Sequence, residues 1–249
     1  MCRMFFQCAL EPFNIDLNVL KKFISSCHWK YFRKYNLLGH HHLGWGFAYI
    51  PEDSEDSKTL VIKRDITPIY HADWKNLTKI KTRFLLVHAR KAYPWLKNSE
   101  NIHPININEK YLLTHNGTIT NFFKSKMVNP KLDTIFKETN LDTRKYLCYI
   151  IDNLKQGLDL KETLENVLKN IEIGLGANAF LFNSKECNII KYQNEKFSGR
   201  HRTLFITRDN GSVLTSTSPL KPKMKEIPNY SLINVNLSNL KINLTKLEV

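Results

Sequence analysis

Residues 1–10 read MCRMFFQCAL, with a thiol at the second position and an apolar run behind it. The segment from Arg3 to Ala9 predicts a short buried strand. Removal of Met1, which a small second side chain permits, would leave Cys2 with both a thiol and a free α-amine. An α-amine has a pKa near ~8 and can accept the thiol proton, so Cys2 would supply both nucleophile and base. Position alone, however, favours a buried structural cysteine at the start of a strand.

The composition is that of an ordered globular protein with a strong positive charge. The chain has 249 residues, of which 42% are apolar and 11% aromatic, with a net charge of +14. Such a charge indicates either an anionic partner or a solvated, lysine-rich surface. The basic residues cluster at 21–34 and 221–225, but stacking aromatics do not alternate with them as in nucleic-acid modules. We therefore favour the solvated surface and expect no nucleic-acid partner.

The cysteine pattern indicates a reducing compartment. The five cysteines are odd in number and none forms a C-x-x-C pair, which argues against a disulfide framework and a structural zinc site. The first apolar run ends at Glu11 and is too short for a signal peptide, and no stretch is long enough to span a bilayer. The sequence predicts a cytoplasmic protein without a membrane partner.

No cofactor and no metal are expected. His40, His41 and His42 are consecutive, and side chains on an extended chain alternate in direction, so they would chelate one ion poorly. No Walker-type loop appears, and the segment 174–176 is too short for a dinucleotide-binding loop.

The order of predicted elements is strands, then helices, then strands, which indicates a single α+β domain over residues 1–249. Asn210-Gly211 joins two of the late strands as a hairpin. The predicted helices are Leu17 to Tyr35, Thr120 to Met127, Thr143 to Lys155 and Lys161 to Ile171.

Two short segments could bind the polar ends of a ligand. In His88-Ala89-Arg90, a guanidinium follows an apolar strand, where it can hold a carboxylate in a bidentate fork or form a surface ion pair. In Leu141-Asp142-Thr143, the carboxylate lies at a predicted helix start. Asp142 could be an ordinary N-cap, which its position alone favours, or it could face the ammonium group of a ligand.

A third segment, Thr114 to Thr118, contains Asn116-Gly117. The Asn amide and the Gly backbone N–H can point the same way and form an oxyanion hole. Asn-Gly is also the commonest hairpin dipeptide, and Asn210-Gly211, flanked by strands, has that interpretation. Asn116-Gly117 differs because a helix is predicted after it. A thiol, an oxyanion hole, a cation and a carboxylate together fit an α-amino acid with a side-chain amide, such as glutamine.

Several motifs of the sequence together resemble those of a known family. The motifs that carry the resemblance are, in order, Met1-Cys2-Arg3, Gly44-Trp45-Gly46, His88-Ala89-Arg90, His103-Pro104, His115-Asn116-Gly117, Leu141-Asp142-Thr143 and, late in the chain, Thr217-Ser218-Pro219-Leu220 with Ile227-Pro228. Their order is similar to that in the class II glutamine amidotransferases, most of all their small stand-alone branch.

The resemblance implies the fold of N-terminal-nucleophile hydrolases, a four-layer αββα sandwich. It implies that Cys2 attacks the glutamine amide and releases ammonia through a γ-glutamyl thioester. Asn116 and Gly117 would bind the oxyanion, Arg90 the α-carboxylate and Asp142 the α-amino group. The family pattern further places three residues in the substrate pocket, namely His103, Trp45 and Gly46.

Three departures from the family pattern leave every catalytic group in place and concern the identity of the substrate. Ala92-Tyr93-Pro94 stands where the family usually has a threonine, Leu43 stands where it often has an acidic residue, and Thr217-Ser218 replaces Ser-Glu. The expected substrate is glutamine or a γ-glutamyl small molecule. The ammonia could serve a separate synthase subunit, or the protein could act alone on a free γ-glutamyl compound, as the ergothioneine-pathway amidohydrolases do.

Two other functions stay open. The first is a catalytically silent binding protein of the same fold, with a basic surface for an anionic partner. The second is a proteasome-like or penicillin-acylase-like hydrolase of another amide, against which Arg90 and Asp142 argue.

Overall fold

The computed structural model describes residues 2–28, 30, 40–52, 59–92, 97–107, 110–123, 126–197, 203–209 and 211–249. The strands and helices in these ranges are β1 Arg3–Asn14, α1 Leu17–Cys27, β2 Trp45–Pro51, β3 Val61–Asp65, β4 Lys81–Ala89, β5 Ile105–Asn106, β6 Leu112–Phe122, α2 Pro130–Glu138, α3 Asp142–Lys155, α4 Leu160–Lys169, β7 Ile171–Phe182, β8 Glu186–Lys191, β9 Phe205–Asp209, β10 Ser212–Ser216, β11 Lys225–Glu226, β12 Ser231–Asn236 and β13 Ile242–Lys246.

The described strands form two antiparallel sheets. The first sheet has the order β11-β9-β10-β1-β4-β2-β3, and the second has the order β13-β12-β8-β7-β6-β5. Strand β1 lies inside the first sheet, where Phe5 is opposite Ser216 of β10 on one side and Val87 of β4 on the other. Both edges of β1 are therefore paired, which fixes the residues at its start.

Side chains of β1 alternate between two faces, as a strand period of two requires. Phe5 packs with Phe23 of α1 on the outer face of the first sheet. Met4 and Phe6 pack between the sheets, where Phe6 contacts Phe180 of β7. Burial of each such side chain contributes about 1.5–3 kcal/mol to the free energy of unfolding.

The outer face of the second sheet is covered by α2, α3 and α4. Leu147 and Ile150 of α3 and Leu164 of α4 pack in one cluster with Leu113 of β6 and Leu181 of β7. The layers are therefore α1, first sheet, second sheet and the helices α2–α4. This is the predicted αββα arrangement, and it is α+β overall.

Two predicted helix boundaries are wrong. Residues Thr120 to Phe122 continue strand β6, because β6 remains paired with β7 as far as Phe122, opposite Ile171. This pairing overrides the helical pattern that indicated a helix to Met127. Helix α1 ends at Cys27, where the backbone N–H of His28 bonds to Ser25 O. The rest of that predicted helix, apart from residue 30, lies outside the described residues.

Other elements follow the sequence. Helix α4 begins after Asp159, whose side chain accepts from Glu162 N while Glu162 returns a bond to Asp159 N. Strands β9 and β10 form the predicted hairpin, with Ser212 opposite Asp209. None of the helices in the described ranges is long and apolar enough to cross a membrane.

Candidate active site

The thiol of Cys2 lies just before β1 and is 8% exposed. Its Sγ is 3.6 Å from the carbonyl oxygen of Lys91 and accepts the Lys91 backbone N–H at 3.5 Å. All five cysteines are free and buried. The thiol is therefore held against the backbone that directly follows Arg90.

The start of β1 is fixed by polar contacts on both sides. Arg3 is fully buried and donates from Nη1 to Thr217 O at 3.1 Å and from Nε to Ser26 O at 3.4 Å. Met4 N donates to Thr217 Oγ1 at 3.1 Å, and Thr217 N donates to Met4 O at 3.0 Å. Thr217, which replaces the serine of the family pattern, thus anchors the residues next to Cys2. Buried donors that are paired in this way stabilise the segment.

Arg90 follows β4 and is buried. Its backbone N–H donates to Gly44 O at 2.9 Å, so the loop before β2 holds its position. Burial lowers the pKa of the guanidinium from its ordinary value, and the nearby charges of Cys2 and Asp142 act in the opposite direction. A cation, a thiol and a carboxylate therefore share one electrostatic neighbourhood.

Trp45 and Gly46 lie at the start of β2, beside β4. Trp45 is opposite Ala89, and its ring stacks on Phe47 at 5.3 Å in the cluster under α1. Gly46 is opposite His88, and a Cβ there would overlap the carbonyl oxygen of His103. Glycine at this position therefore permits the His103 backbone to approach the strand.

The Asn116 side chain is fully buried, with 0% exposure. It lies on the same face of β6 as Leu112, which packs between the sheets, so it faces the interior space that also receives the side chains of Met4 and Phe6. No residue in the described part of the chain bonds to its Oδ1 or its Nδ2. A buried amide with unused donors and acceptors is costly unless a ligand satisfies it.

Gly117 adjoins this amide and is opposite Ala177 of β7. The Ala177 N–H donates to Tyr192 O at 2.7 Å, on the side away from β6. In an antiparallel ladder, a pair of this kind directs both N–H groups outward, so the Gly117 N–H also points away from β7. A Cβ at 117 would overlap the Gly176 carbonyl, which explains the glycine.

Asp142 is the first residue of α3, and its side chain is 28% exposed. Its Oδ1 accepts Thr143 N at 2.7 Å, and its Oδ2 accepts Ile119 N at 3.1 Å. The N-cap position belongs to Leu141, so the alternative of Asp142 as the N-cap is wrong. These two bonds fix the carboxylate beside the strand that carries Asn116.

A cluster of buried histidines lies behind these groups. His103 Nε2 is 2.9 Å from Thr143 Oγ1, and His115 Nδ1 is 3.1 Å from the same oxygen. His115 Nε2 is 3.3 Å from Gly176 O, and His88 Nε2 is 3.2 Å from His115 O. The rings of His88 and His103 stack at 4.1 Å.

Burial lowers the pKa of all three histidines. The pKa of His88 falls to about 3, that of His103 falls well below its ordinary value, and that of His115 is lowered despite the opposing effect of Asp142. The rings are therefore neutral at pH 7. Among the described residues, no three His, Cys, Asp or Glu side chains are arranged to hold a metal ion.

The structure brings the predicted residues Cys2, Arg90 and Asp142 into one neighbourhood and places Asn116 on the interior face of β6. The sequence interpretation did not identify Thr143, His115 or His88 as functional. All three stand inside motifs that were recognised, so their polar side chains beside the candidate residues were the available signal.

The comparisons with known proteins agree with this arrangement. The family model described as "Glutamine amidotransferases class-II" matches residues 14–197, more than half of the chain. The protein therefore belongs to the class II glutamine amidotransferases. The matched segment begins after Cys2. No curated protein matched the sequence.

Solved structures show the same fold at low identity. The glutamine phosphoribosylpyrophosphate amidotransferase from B. subtilis, complexed with ADP and GMP, has a TM-score of 0.63 and 15% identity, over 100% of this chain and 50% of that chain. The chain thus spans about half the length of that enzyme. A glutamine aminotransferase class-II domain protein from Silicibacter pomeroyi has a TM-score of 0.64 and 10% identity, over 100% of both chains.

A "predicted glutamine amidotransferase" from Pseudomonas aeruginosa has a TM-score of 0.58 and 13% identity, over 97% of this chain and 99% of that chain. These likenesses confirm the predicted N-terminal-nucleophile hydrolase sandwich.

Proposed function

We propose that the protein is a glutaminase that hydrolyses the side-chain amide of glutamine, or of a γ-glutamyl compound, through a thioester on Cys2. Its support is one observation above all: the Cys2 thiol lies against the Lys91 backbone, directly after the buried Arg90, with Sγ 3.6 Å from Lys91 O. A carboxylate-binding cation, an ammonium-binding anion and a nucleophile within one neighbourhood match an α-amino acid with a reactive side chain.

Substrate recognition follows from this charge pattern. Arg90 would hold the α-carboxylate in a bidentate fork, which a buried guanidinium does strongly because little water competes. Asp142 keeps an exposed portion of its carboxylate and would accept the α-ammonium group. Gly46 and His103 would shape the wall of the pocket near Arg90, and Trp45 would act on it from the cluster under α1.

The first chemical step would be attack of Cys2 Sγ on the side-chain carbonyl. The Cys2 α-amine, freed by removal of Met1, would take the thiol proton. A C–S bond forms, and the carbonyl oxygen becomes an anion that the Asn116 Nδ2 and the Gly117 N–H would stabilise. The interior orientation and unused hydrogen bonds of the Asn116 amide support this role.

The second step would break the C–N bond. The protonated α-amine would return its proton to the leaving nitrogen, so ammonia departs and a γ-glutamyl thioester remains. Water, deprotonated by the same amine, would then attack the thioester carbonyl. Cleavage of the C–S bond releases glutamate and restores the thiol.

Residues 1–249 would act as one catalytic domain in the reducing cytoplasm, in line with five free cysteines. The Silicibacter pomeroyi protein matches this chain over its full length, which supports a stand-alone enzyme. The alternative is an ammonia-using synthase as a separate subunit, and the B. subtilis amidotransferase, of which this chain covers 50%, is the comparison for it. Co-purification of a partner together with weak glutaminase activity of the isolated chain would favour the second arrangement.

The decisive experiment is intact-mass analysis of natively produced protein before and after treatment with a glutamine-like diazoketone, which alkylates nucleophilic thiols. We expect loss of Met1 and one adduct, mapped to Cys2. Retained Met1 without an adduct would contradict the proposal. It would favour instead the catalytically silent binding protein.

Substitution of the nucleophile provides the matching kinetic test. Cys2→Ser should abolish ammonia release, because the hydroxyl is a far weaker nucleophile with the same base. The matched control is Cys8→Ala, which removes a buried thiol from the same strand and should keep the wild-type rate. Glutaminase activity in Cys2→Ser would exclude the thioester mechanism.

The rival binding function has one structural argument in its favour. Lys221, Lys223 and Lys225 line a cavity of about 720 Å³, together with Arg208. A nucleic-acid affinity that falls steeply with salt, in a protein without thiol reactivity, would support this rival.

A further inference from the structure

We propose that Thr143 is a positioning residue, whose hydroxyl links His103 to His115 and thereby holds the Asn116-Gly117 segment in its reactive orientation. This inference rests on the proposed function, because it assigns the oxyanion to Asn116 and Gly117. The Thr143 hydroxyl lies within hydrogen-bond distance of His103, His115 and Asp142, so its effect on Asn116 and Gly117 passes through His115.

The bonds of two histidines to carbonyl oxygens fix where their protons lie. A carbonyl oxygen only accepts, so His115 Nε2 must carry a hydrogen to bond Gly176 O at 3.3 Å. His88 Nε2 must carry one to bond His115 O at 3.2 Å. A neutral His115 then has a lone pair at Nδ1 and acts there as an acceptor.

The Thr143 hydroxyl is the donor that this acceptor needs. It lies 3.1 Å from His115 Nδ1, so donation of its one hydrogen would satisfy this acceptor. The hydroxyl must then accept from His103 Nε2 at 2.9 Å, so His103 also carries its hydrogen on Nε2. The direction of the chain is therefore His103 N–H to Thr143 O–H to His115 Nδ1.

Asp142 is the competing acceptor for the Thr143 hydrogen. Its Oδ1 is 3.3 Å from Thr143 Oγ1, which is longer than the contact to His115. That oxygen already accepts the Thr143 backbone N–H at 2.7 Å. The geometry therefore favours His115 as the hydroxyl's acceptor.

His115 is therefore held by three hydrogen bonds. The ring of His115 is held by Thr143 at one nitrogen and by Gly176 at the other, and its carbonyl is held by His88. The next two residues along β6 are Asn116 and Gly117. Adjacent residues share a peptide plane, so a fixed His115 limits the backbone orientation of Asn116. The backbone in turn limits the direction of the Asn116 side chain.

The protonation state of His115 also affects the charge that Asp142 presents to a ligand. His115 Nδ1 is only 3.9 Å from Asp142 Oδ2. A protonated His115 would pair with this carboxylate and cancel the charge that would attract the substrate ammonium. Burial lowers the pKa of His115, and a Thr143 hydroxyl that donates to Nδ1 fits this neutral ring, which leaves the Asp142 charge to the ligand.

The kinetic test compares Thr143→Val with Thr143→Ser. Valine keeps the shape and removes the hydroxyl, so kcat for glutamine hydrolysis should fall about 10- to 100-fold, while KM changes less than about threefold. Serine restores the hydroxyl and should recover most of kcat. The matched control is Thr163→Val, since Thr163 is equally buried and its hydroxyl has no partner among the described residues.

The outcomes are separable. Wild-type kcat in Thr143→Val, or an equal loss in Thr163→Val, would overturn the positioning role. Failure of the wild-type protein to hydrolyse any γ-glutamyl amide would overturn the proposed function and not this hydrogen-bond chain.

Histidine-ring NMR on the wild-type protein tests the chain without activity and covers the case in which Thr143→Val fails to fold. Long-range proton–nitrogen spectra at pH 7.5 should show hydrogen on Nε2 and none on Nδ1 for His88, His103 and His115. Hydrogen on His115 Nδ1, alone or with Nε2, would refute the proposal.

Discussion

Two adjacent residues of β6 show how differently the two faces of one strand are used. His115 is 2% exposed and Asn116 is 0% exposed, so burial does not distinguish them. Both ring nitrogens of His115 have partners, at Thr143 and Gly176. Neither polar atom of the Asn116 side chain has one among the described residues. His115 on one face therefore has both ring nitrogens bonded, while the Asn116 amide on the other face keeps its hydrogen bonds unused.

This difference distinguishes residues that hold the site in place from residues that would take part in the reaction. A satisfied buried network holds its members in one geometry and stabilises the fold. An unsatisfied buried amide lowers the free energy of unfolding and is retained where a ligand completes its bonds. We therefore expect loss of the unbonded Asn116 amide on the interior face to affect rate, and loss of a bonded buried amide on the helix-side face to affect stability.

The largest effect is expected for Asn116→Ala. Loss of an oxyanion donor should lower kcat by about 100-fold or more, because the developing negative charge loses a fixed hydrogen bond. The free energy of unfolding should change little, since the lost amide bonds nothing in the described structure. Steady-state kinetics and urea denaturation measure the two quantities.

Asn188→Ala is the matched control for this contrast. Asn188 is also fully buried, but its Oδ1 accepts from Asn234 Nδ2 at 2.9 Å. Its removal should cost about 1–3 kcal/mol of stability and leave kcat unchanged. If Asn116→Ala lost stability but not rate, the division between the two faces would be wrong.

A smaller effect is expected for Arg90→Lys. An ammonium keeps the charge but loses the bidentate fork, so KM should rise and kcat/KM should fall roughly 10- to 100-fold. The matched control is Arg144→Lys on α3, whose guanidinium donates to the Glu100 carbonyl oxygen at 3.0 Å. A change confined to kcat would show that Arg90 acts on the reaction step and not on binding.

The smallest effect concerns pH. Unfolded histidine has a pKa near ~6.5, whereas His88 has a pKa of about 3 in the fold. As pH falls below ~6.5, the unfolded chain therefore binds a proton that the folded chain does not. Stability is fully present above that pH and decreases as pH falls, by about 1.4 kcal/mol per pH unit for this histidine.

His88→Asn should show a shallower fall than the wild type by that amount between pH 6.5 and 5, measured by urea denaturation. The control is His71→Asn, at an exposed histidine. Parallel pH profiles for wild type and His88→Asn would mean that His88 takes up its proton in the folded state, contrary to its burial.

The sequence predicted the sandwich and the groups with chemical character, but not the support behind them. Cys2, Arg90, Asn116 and Asp142 were identified because their side chains carry an evident reactive or charged group within a motif. In the sequence alone, Thr143 is only a residue at a predicted helix start. Its bonds to His103 and His115 join residues 40 and 28 positions apart, so only the folded chain reveals them.

The predicted helix after Asn116-Gly117 was wrong at its start for a related reason. The sequence predicted a helix from Thr120 to Met127, soon after Asn116-Gly117. The strand continues because β7 supplies a partner for each residue from Leu112 to Gly117 and beyond. That partner begins more than 50 residues later, outside the reach of a local pattern.

The burial of four cysteines affects how thiol labelling of this protein is interpreted. Burial raises the pKa of Cys8, Cys27 and Cys148 to about 12 and that of Cys187 well above its ordinary value. Only a thiolate reacts with common electrophiles, so these four side chains stay inert at neutral pH while the chain is folded. Under the proposed mechanism, label taken up per folded chain then gives the fraction of molecules in a preparation whose Cys2 is reactive.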